Sequence, residues 1–333
     1  MTREPTASGA PRLIVAPDDF PPVFADSAAL ARLRRAADME VRVFTTPPGD
    51  QYKLLERIAD AHTVIGMRSS TRYSHPIFEG APYLRHLALW GTATDHVSLD
   101  AARRAEIVVT NTPGTATDAV AEHALALAFS LARRIPELDA RVREGQWPRG
   151  RVMQLTGKTM GVVGTGSVGL RMAHLARGIG MHVLQCSMHD GDRSEGGQNA
   201  AADGEIVSFH RVLRESDVIS LHARVTRHTV SLFGADQFAH MKPTALLVNT
   251  ARGQLIDEMA LTEALRNETI AGAALDVFSN EPLPSQHPLR FLRNVILTPH
   301  TAGSTNEALD AGLNMMVDNV LSFLAGHPEN RVK

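Results

Sequence analysis

Between Arg12 and Gly66 short apolar runs alternate with helical patterns: RLIVA, SAALARLRRAA, VRVF, YKLLERIAD and TVIG follow one another. Parallel strands need a crossover connection, usually a helix, and this alternation is how such units appear in sequence. LRHLALWG and AEIVVTNTP continue the series, each run stopping at Gly, Asn or Pro. The longest helical pattern follows, from Thr117 to about Arg134. Its residues DAVAEHALALAFSLARR are apolar nearly all round, which predicts burial, as a spine between two domains. A second alternating series then runs from GKTMGVVGTGSVG to VILTPH. After it, STNEALDAGLNMMVDNVLSFLAG has amphipathic spacing and no strand to join, so it is expected to pack back on the first domain. At 333 residues the chain exceeds the usual size of one core. The expectation is therefore α/β, with two doubly wound parallel-sheet domains: residues 1–116 plus 302–333, and residues 117–301.

Composition narrows the function classes. A hydrophobic fraction of 44% suits packed interiors, and a formal net charge of -2 gives no basic field for phosphate backbones, so no nucleic acid is expected. No apolar segment is long enough to span a bilayer, and no membrane partner is expected. The polar, proline-bearing start, Met1 to Pro11, reads as a disordered leader, and DGDRSEGG near Asp190 as a surface loop. The only cysteine, Cys186, rules out an internal disulfide and any all-cysteine metal site. That suits a reducing compartment, with the cytoplasm as the plain reading and no metal expected.

The most informative local motif is GVVGTGSVGLRMA. Gly164, Gly166 and Gly169 form G-x-G-x-x-G after an apolar strand and before a helix. There a tight turn and bare backbone let a pyrophosphate approach the helix N-terminus. A dinucleotide is the implied ligand. The next strand, MHVLQCS, should end in an acidic residue that binds the ribose 2′-hydroxyl, but Ser187 stands there, followed by Met188 and His189. The nearest arginine, Arg193, comes after Asp190 and Asp192. NAD and NADP both stay open.

The stretch LLVNTARGQLID raises a separate question, because it sets Arg252 just past a buried strand, where a guanidinium needs either solvent or an anion. Taken with GTGSVG, with AGAALDVFSNEP and with VILTPHTAG, in this order and spacing, it makes the chain from about Ile14 onward resemble the D-isomer-specific 2-hydroxyacid dehydrogenases. That family includes phosphoglycerate dehydrogenase and the glyoxylate/hydroxypyruvate reductases. The resemblance implies a Rossmann-like cofactor domain inserted into a flavodoxin-like substrate domain, with catalysis in the cleft between them. It implies Arg252, Glu281 and His300 as the active site and NAD or NADP as cofactor. It implies a small 2-oxo or 2-hydroxy acid as substrate. Cofactor contacts carried over are Gly164, Gly166, Ser167, Val168, Gly169, Ser187, Ala223, Thr250, Ala251, Asp276 and Gly303. MRSST makes Arg68 and Ser69 candidates for gripping the acid, and WGTATDHVSLD adds Thr92 and Ala93. A homodimer is expected, through the buried helix after Thr117 and the exposed arm around GQWPRG.

The chemistry explains these residue types. Reducing a 2-oxo acid needs a cation to hold the carboxylate and polarise the carbonyl, which the planar fork of Arg252 supplies. It also needs an acid for the oxygen as it gains charge. His300 suits that task because histidine titrates near neutrality, and Glu281 beside it would orient the ring. Singly, each has a plainer reading. His300 is one of 15 histidines, Arg252 could pair with Asp257, and Glu281 could simply precede a proline. Trp90 reads as a core anchor more than as a pocket wall. Departures from the family pattern are Ala93 for a glycine, Ser98 for an aspartate, Ala223 for a threonine and Arg224 for a proline; an arginine there could reach a phosphate or the substrate, with a surface ion pair as the plainer reading. Two other classes fit the same fold: a formate dehydrogenase, against which Glu281 speaks because glutamine is expected there, and a dinucleotide-sensing corepressor-like binding protein.

Overall fold

The computed structural model describes residues 13–188, 200–201 and 203–332. The expected leader and the loop holding His189, Asp190, Asp192 and Arg193 lie outside the described residues. The chain divides into two compact units, one formed by the residues before Thr117 together with those from Thr305 on, the other by Thr117–Ser304.

The sheet of the first unit contains β1 (Leu13–Ala16), β2 (Glu40–Val43), β3 (Thr63–Gly66), β4 (His86–Leu89) and β5 (Val108–Thr110), in the order β2-β1-β3-β4-β5. Every pairing is parallel, and the order is that of a flavodoxin-like sheet. β1, β3 and β4 are buried at every position. That is why they read as continuous apolar runs: helices cover both faces of such a sheet, so no face is left for polar alternation. At the edge, β2 is half exposed and carries Glu40 and Arg42, charges that discourage another chain from pairing there. Helices begin where the sequence supplies caps. Ser27 accepts from Leu30 N–H at 3.1 Å and Asp50 from Lys53 N–H at 2.8 Å, each stabilising its helix by about 1 kcal/mol.

The terminal helix, Asn306–Leu324, packs its apolar stripe, Leu313, Met316, Val317 and Val320, into the cluster that holds Ile14, Ile65 and Ala88. Each such side chain contributes about 1.5–3 kcal/mol by leaving water. Gly312 on this helix has a specific reason: a Cβ there would lie 2.4 Å from Trp90 Nε1.

His86 is fully buried in β4, its Nε2 2.9 Å from Thr110 Oγ1 and its ring stacked on Phe323 at 4.3 Å. Burial, with repulsion from His62 added, lowers its pKa from 6.5 to about 3. Above pH 6.5 the ring is neutral in folded and unfolded chains alike. As the pH falls below that, only the unfolded chain takes the proton, so stability is lost down to about 3. For this group the loss is on the order of 5 kcal/mol. Denaturant midpoints measured from pH 7 to pH 4 should fall steadily, and less steeply in His86→Gln; equal slopes would remove the assignment.

The second unit contains β6 (Thr159–Val163), β7 (His182–Cys186), β8 (Ala200–Ala201), β9 (Gly204–Ile206), β10 (Val218–Leu221), β11 (Leu246–Asn249), β12 (Gly272–Leu275) and β13 (Val295–Leu297). Among the described residues their order is β13-β12-β11-β10-β6-β7-β9-β8, parallel except for the β8–β9 pair. β6 is the first strand of the unit and lies mid-sheet between β7 and β10, the arrangement of a Rossmann-type sheet, whose ligands gather at the carboxyl ends of these strands. The helix expected from Thr117 spans Thr117–Ala132 and buries Ala121, Ala124, Leu127, Ala128 and Leu131 against this sheet, while Leu125 and Phe129 stay half-buried. The following helix, Ile135–Arg143, buries none of its residues, and Ile135, Val142 and Trp147 are exposed. Among the described residues no helix is long and apolar enough to cross a membrane.

Candidate active site

β6 delivers the chain into the glycine turn. Gly164 has φ +108°, and a Cβ there would lie 2.6 Å from the carbonyl of His222 and 2.8 Å from Ala223 N. A Cβ on Gly169 would meet Gly164 O at 2.0 Å. Both glycines are therefore required by close backbone approach, at the turn and between helix and strand. Gly166 differs, because nothing lies within 4 Å of its Cβ position. It precedes the helix Ser167–Gly178, whose first-turn N–H groups no side chain caps, and the bare backbone at Gly166 leaves room for a ligand to approach them. That cradle fits a pyrophosphate. Ser167 is exposed there and Val168 half-buried, Ser187 stands half-buried at the end of β7, and Ala223 is buried at the end of β10. The surface ion pair expected of Arg224 is not formed among the described residues: its side chain is exposed, and its carbonyl accepts from Thr229 Oγ1 at 2.6 Å.

Three loops at the carboxyl ends of β11, β12 and β13 carry the expected catalytic residues. After β11, the Asn249 side chain shapes the turn, donating to Arg252 O at 2.8 Å and accepting from Ala251 N–H at 3.0 Å. Thr250 is buried within it. Arg252 donates from Nη1 to Ala251 O at 2.6 Å. Asp257, the alternative partner for Arg252, instead caps the helix Glu258–Arg266 through the N–H groups of Met259 and Ala260. The loop after β12 is held by Glu258, which accepts from Ser279 N–H at 2.7 Å, and by Glu281 itself, which accepts from Phe278 N–H at 2.9 Å. The two loops touch at Gly253, where a Cβ would sit 2.0 Å from Phe278 C and 2.3 Å from Ser279 N. Gly253→Ala must push Arg252 away from the Glu281 loop. We expect kcat/KM to fall at least about a hundredfold, since misplacement near 1 Å costs that much; unchanged kinetics would show the contact to be slack.

Across from them, His300 Nδ1 lies 2.6 Å from Glu281 Oε2. Burial raises the Glu281 pKa, but its bonds to His300 and to Phe278 N–H, with the charge of Arg252 nearby, outweigh that and hold the carboxyl below its ordinary range. The carboxylate therefore stays ionised beside the imidazole and fixes its orientation. His300 has φ +55°, a left-handed conformation that its loop must impose.

What imposes it is Asp276, which is fully buried. Its Oδ1 accepts from Thr298 Oγ1 at 2.6 Å and Thr301 N–H at 2.9 Å, its Oδ2 from Ala302 N–H at 2.9 Å, and its backbone O from His300 N–H at 2.8 Å. His123 Nε2 stands 3.6 Å from Oδ1. Burial pushes this carboxyl up, yet the contacts with His123 and Thr298 and the two backbone N–H groups bring it down to about 2. Asp276, expected as a cofactor contact, is thus seen first as the anchor of the His300 loop. Gly303 lies in the turn that follows. Sequence reasoning missed Gly253, Asn249 and His123, although Gly253 beside Arg252 was a usable signal of close packing.

In the first unit, Arg68 N–H and Met67 N–H donate to the buried Asp18 carboxylate at 3.2 and 2.9 Å. The Arg68 guanidinium bonds to Pro21 O and stacks 5.7 Å over the Trp90 ring. Trp90, expected as a core anchor, is half-buried against the Gly312 helix and also a platform for this cation. Arg68 lines a cavity of about 660 Å³ with Asp18, Phe20 and Arg72. Ser69 is exposed, Thr92 directs its hydroxyl to Thr112 O at 3.3 Å, and Ala93 is half-buried.

Residues 125–302 match the family described as D-isomer specific 2-hydroxyacid dehydrogenase, NAD binding domain. A glyoxylate reductase of Korarchaeum cryptofilum is 36% identical over 91% of this chain and 92% of its own. The chain belongs to the D-isomer-specific 2-hydroxyacid dehydrogenase family. As a member of it, the protein is an enzyme, a nicotinamide-dependent oxidoreductase that interconverts 2-hydroxy and 2-oxo acids. Crystal structures agree on the fold. A protein from Thermus thermophilus matches at TM-score 0.86 with 34% identity, covering 97% of this chain and 100% of that one. An acyclic imino acid reductase in complex with NADPH and D-Arg matches at TM-score 0.86 with 28% identity, covering 96% and 100%. Among the described residues no group of three or more potential ligands could hold a metal.

Proposed function

We propose that this dehydrogenase reduces a small 2-oxo acid, with Arg252 binding the carboxylate and carbonyl, His300 protonating the nascent alkoxide, and Glu281 holding the imidazole for that transfer. The 2.6 Å contact between His300 Nδ1 and Glu281 Oε2 carries this reading. It leaves the other ring nitrogen to exchange a proton with substrate, and in the oxidative direction the same nitrogen takes the hydroxyl proton. A carboxylate at this position also favours acid/base chemistry over formate oxidation, which has no hydroxyl proton to move. When bound, NAD or NADP supplies or accepts the hydride, and the Gly164–Gly169 turn would hold its pyrophosphate. Ser187, Ala223, Thr250, Ala251 and Gly303 are further candidate contacts. Arg68, Ser69, Thr92 and Ala93 are assigned to substrate recognition, which makes the first unit the substrate domain and the second the dinucleotide domain.

Glyoxylate is the first substrate to try, given the named activity of the 36% identical relative. Steady-state reduction of glyoxylate, hydroxypyruvate, pyruvate and longer 2-oxo acids with NADH and with NADPH tests the reading. Turnover of at least one acid is expected; tight dinucleotide binding with no turnover of any of them would favour a sensor instead. A homodimer is supported by the half-buried Leu125 and Phe129 and the exposed Ile135, Val142 and Trp147 in neighbouring segments of one unit. Light scattering at the mass of one chain would remove it. Cys186 is buried, and burial pushes its thiol up to about 12, which leaves it unreactive; the cytoplasm is proposed from the single cysteine in the chain.

A further inference from the structure

We propose that this enzyme takes the 2′-phosphorylated dinucleotide, NADP(H), ahead of NAD(H), and that Arg224 receives the additional phosphate. This rests on the dinucleotide reading of the Gly164 turn. That turn fixes two neighbours. Gly164 N–H donates to Cys186 O at 2.9 Å, which ties it to the end of β7. Its opposite face lies against His222 and Ala223, where a Cβ would come within 2.6 to 2.8 Å of their backbone. β7 and β10 are the two strands beside β6. One residue beyond each contact come Ser187 and Arg224, so these two flank the glycine turn from its two sides. Met188 and Val225, the next residues, both pack on the hydrophobic cluster that contains Cys186 and Ala223.

The chemistry at these flanks has changed in one direction. A carboxylate at the end of the second strand bonds the ribose 2′-hydroxyl and repels a 2′-phosphate. Ser187 has no charge and can donate to a phosphate oxygen as readily as to a hydroxyl. Arg224 brings the charge the phosphate needs. Its backbone is pinned, because its carbonyl accepts from Thr229 Oγ1 at 2.6 Å, and that buried hydroxyl accepts in turn from Thr226 N–H at 2.7 Å. Its side chain is exposed, and among the described residues it makes no ion pair or hydrogen bond. A fixed backbone with an uncommitted planar fork suits a bidentate phosphate contact.

Calorimetric titration of the full-length protein with NADPH and with NADH, without substrate, tests this directly. The wild type should bind NADPH about tenfold or more tightly than NADH. Arg224→Ala should weaken NADPH about tenfold and leave NADH within about twofold, since a lost phosphate contact cannot act on a ligand that has no 2′-phosphate. Ser187→Asp should reverse the preference. Tighter binding of NADH by the wild type, or an unchanged ratio in Arg224→Ala, would overturn the proposal while leaving the dinucleotide site standing. Failure to bind either form would overturn both.

Discussion

Replacing Arg252 with alanine is expected to lower kcat/KM for reduction of the preferred 2-oxo acid by about three orders of magnitude, the scale of losing a charged donor aimed at developing negative charge. The acid should bind more weakly and turn over more slowly, because in the proposed mechanism one guanidinium serves both the ground-state carboxylate and the carbonyl oxygen as charge grows on it. Affinity for the dinucleotide should stay within about twofold, since the glycine turn that would hold its pyrophosphate keeps its shape. Lysine at the same position should recover little, because a point charge cannot reproduce a planar fork. Wild-type kinetics in Arg252→Ala would remove the arginine from the chemistry altogether.

His300→Ala should behave differently. Here kcat falls by about two to four orders of magnitude, the usual range for a positioned acid or base, while KM for the acid moves little and the dinucleotide still binds. The split between kcat and KM is what separates the two variants. The anchor beneath His300 gives a second way to read it. Because Asp276 holds the 298–302 loop through Thr298, Thr301 and Ala302, the alanine variant should keep its fold, and circular dichroism with thermal melting should show that the lost rate is chemical. A collapse of stability alongside the rate would assign His300 a structural part instead.

Much of this site could be read from the residues alone, for reasons that differ from one residue to the next. The roles of Gly164 and Gly169 were legible because both meet backbone within a few residues or at the adjacent strand end, and the strand–turn–helix context is local. Arg252, Glu281 and His300 became candidates through the family resemblance that whole motifs carry in their order and spacing; no single one of them distinguishes a catalytic side chain from a solvated one. Hidden from sequence were the contacts that hold these residues in place. Nothing near His123 announces that it will face Asp276 and Thr298, because that meeting depends on a helix laid across a sheet whose strands come much later in the chain. Gly253 looks like a turn residue in sequence, and only the packing of two loops shows that it leaves room for the Phe278–Ser279 backbone. Arg224 reads as half of a surface ion pair and forms none among the described residues, since exposure and pairing are both decided by tertiary neighbours.

The division of the chain carries a consequence for its synthesis. A ribosome releases every residue of Thr117–Ser304 before the helix Asn306–Leu324 emerges, yet that late helix supplies Leu313, Met316, Val317 and Val320 to the core begun by Ile14 and Ile65. The earliest segment to be made must therefore wait with an uncovered apolar face while the middle of the polypeptide completes its own sheet, and that interval is when a nascent chain of this design most needs a chaperone.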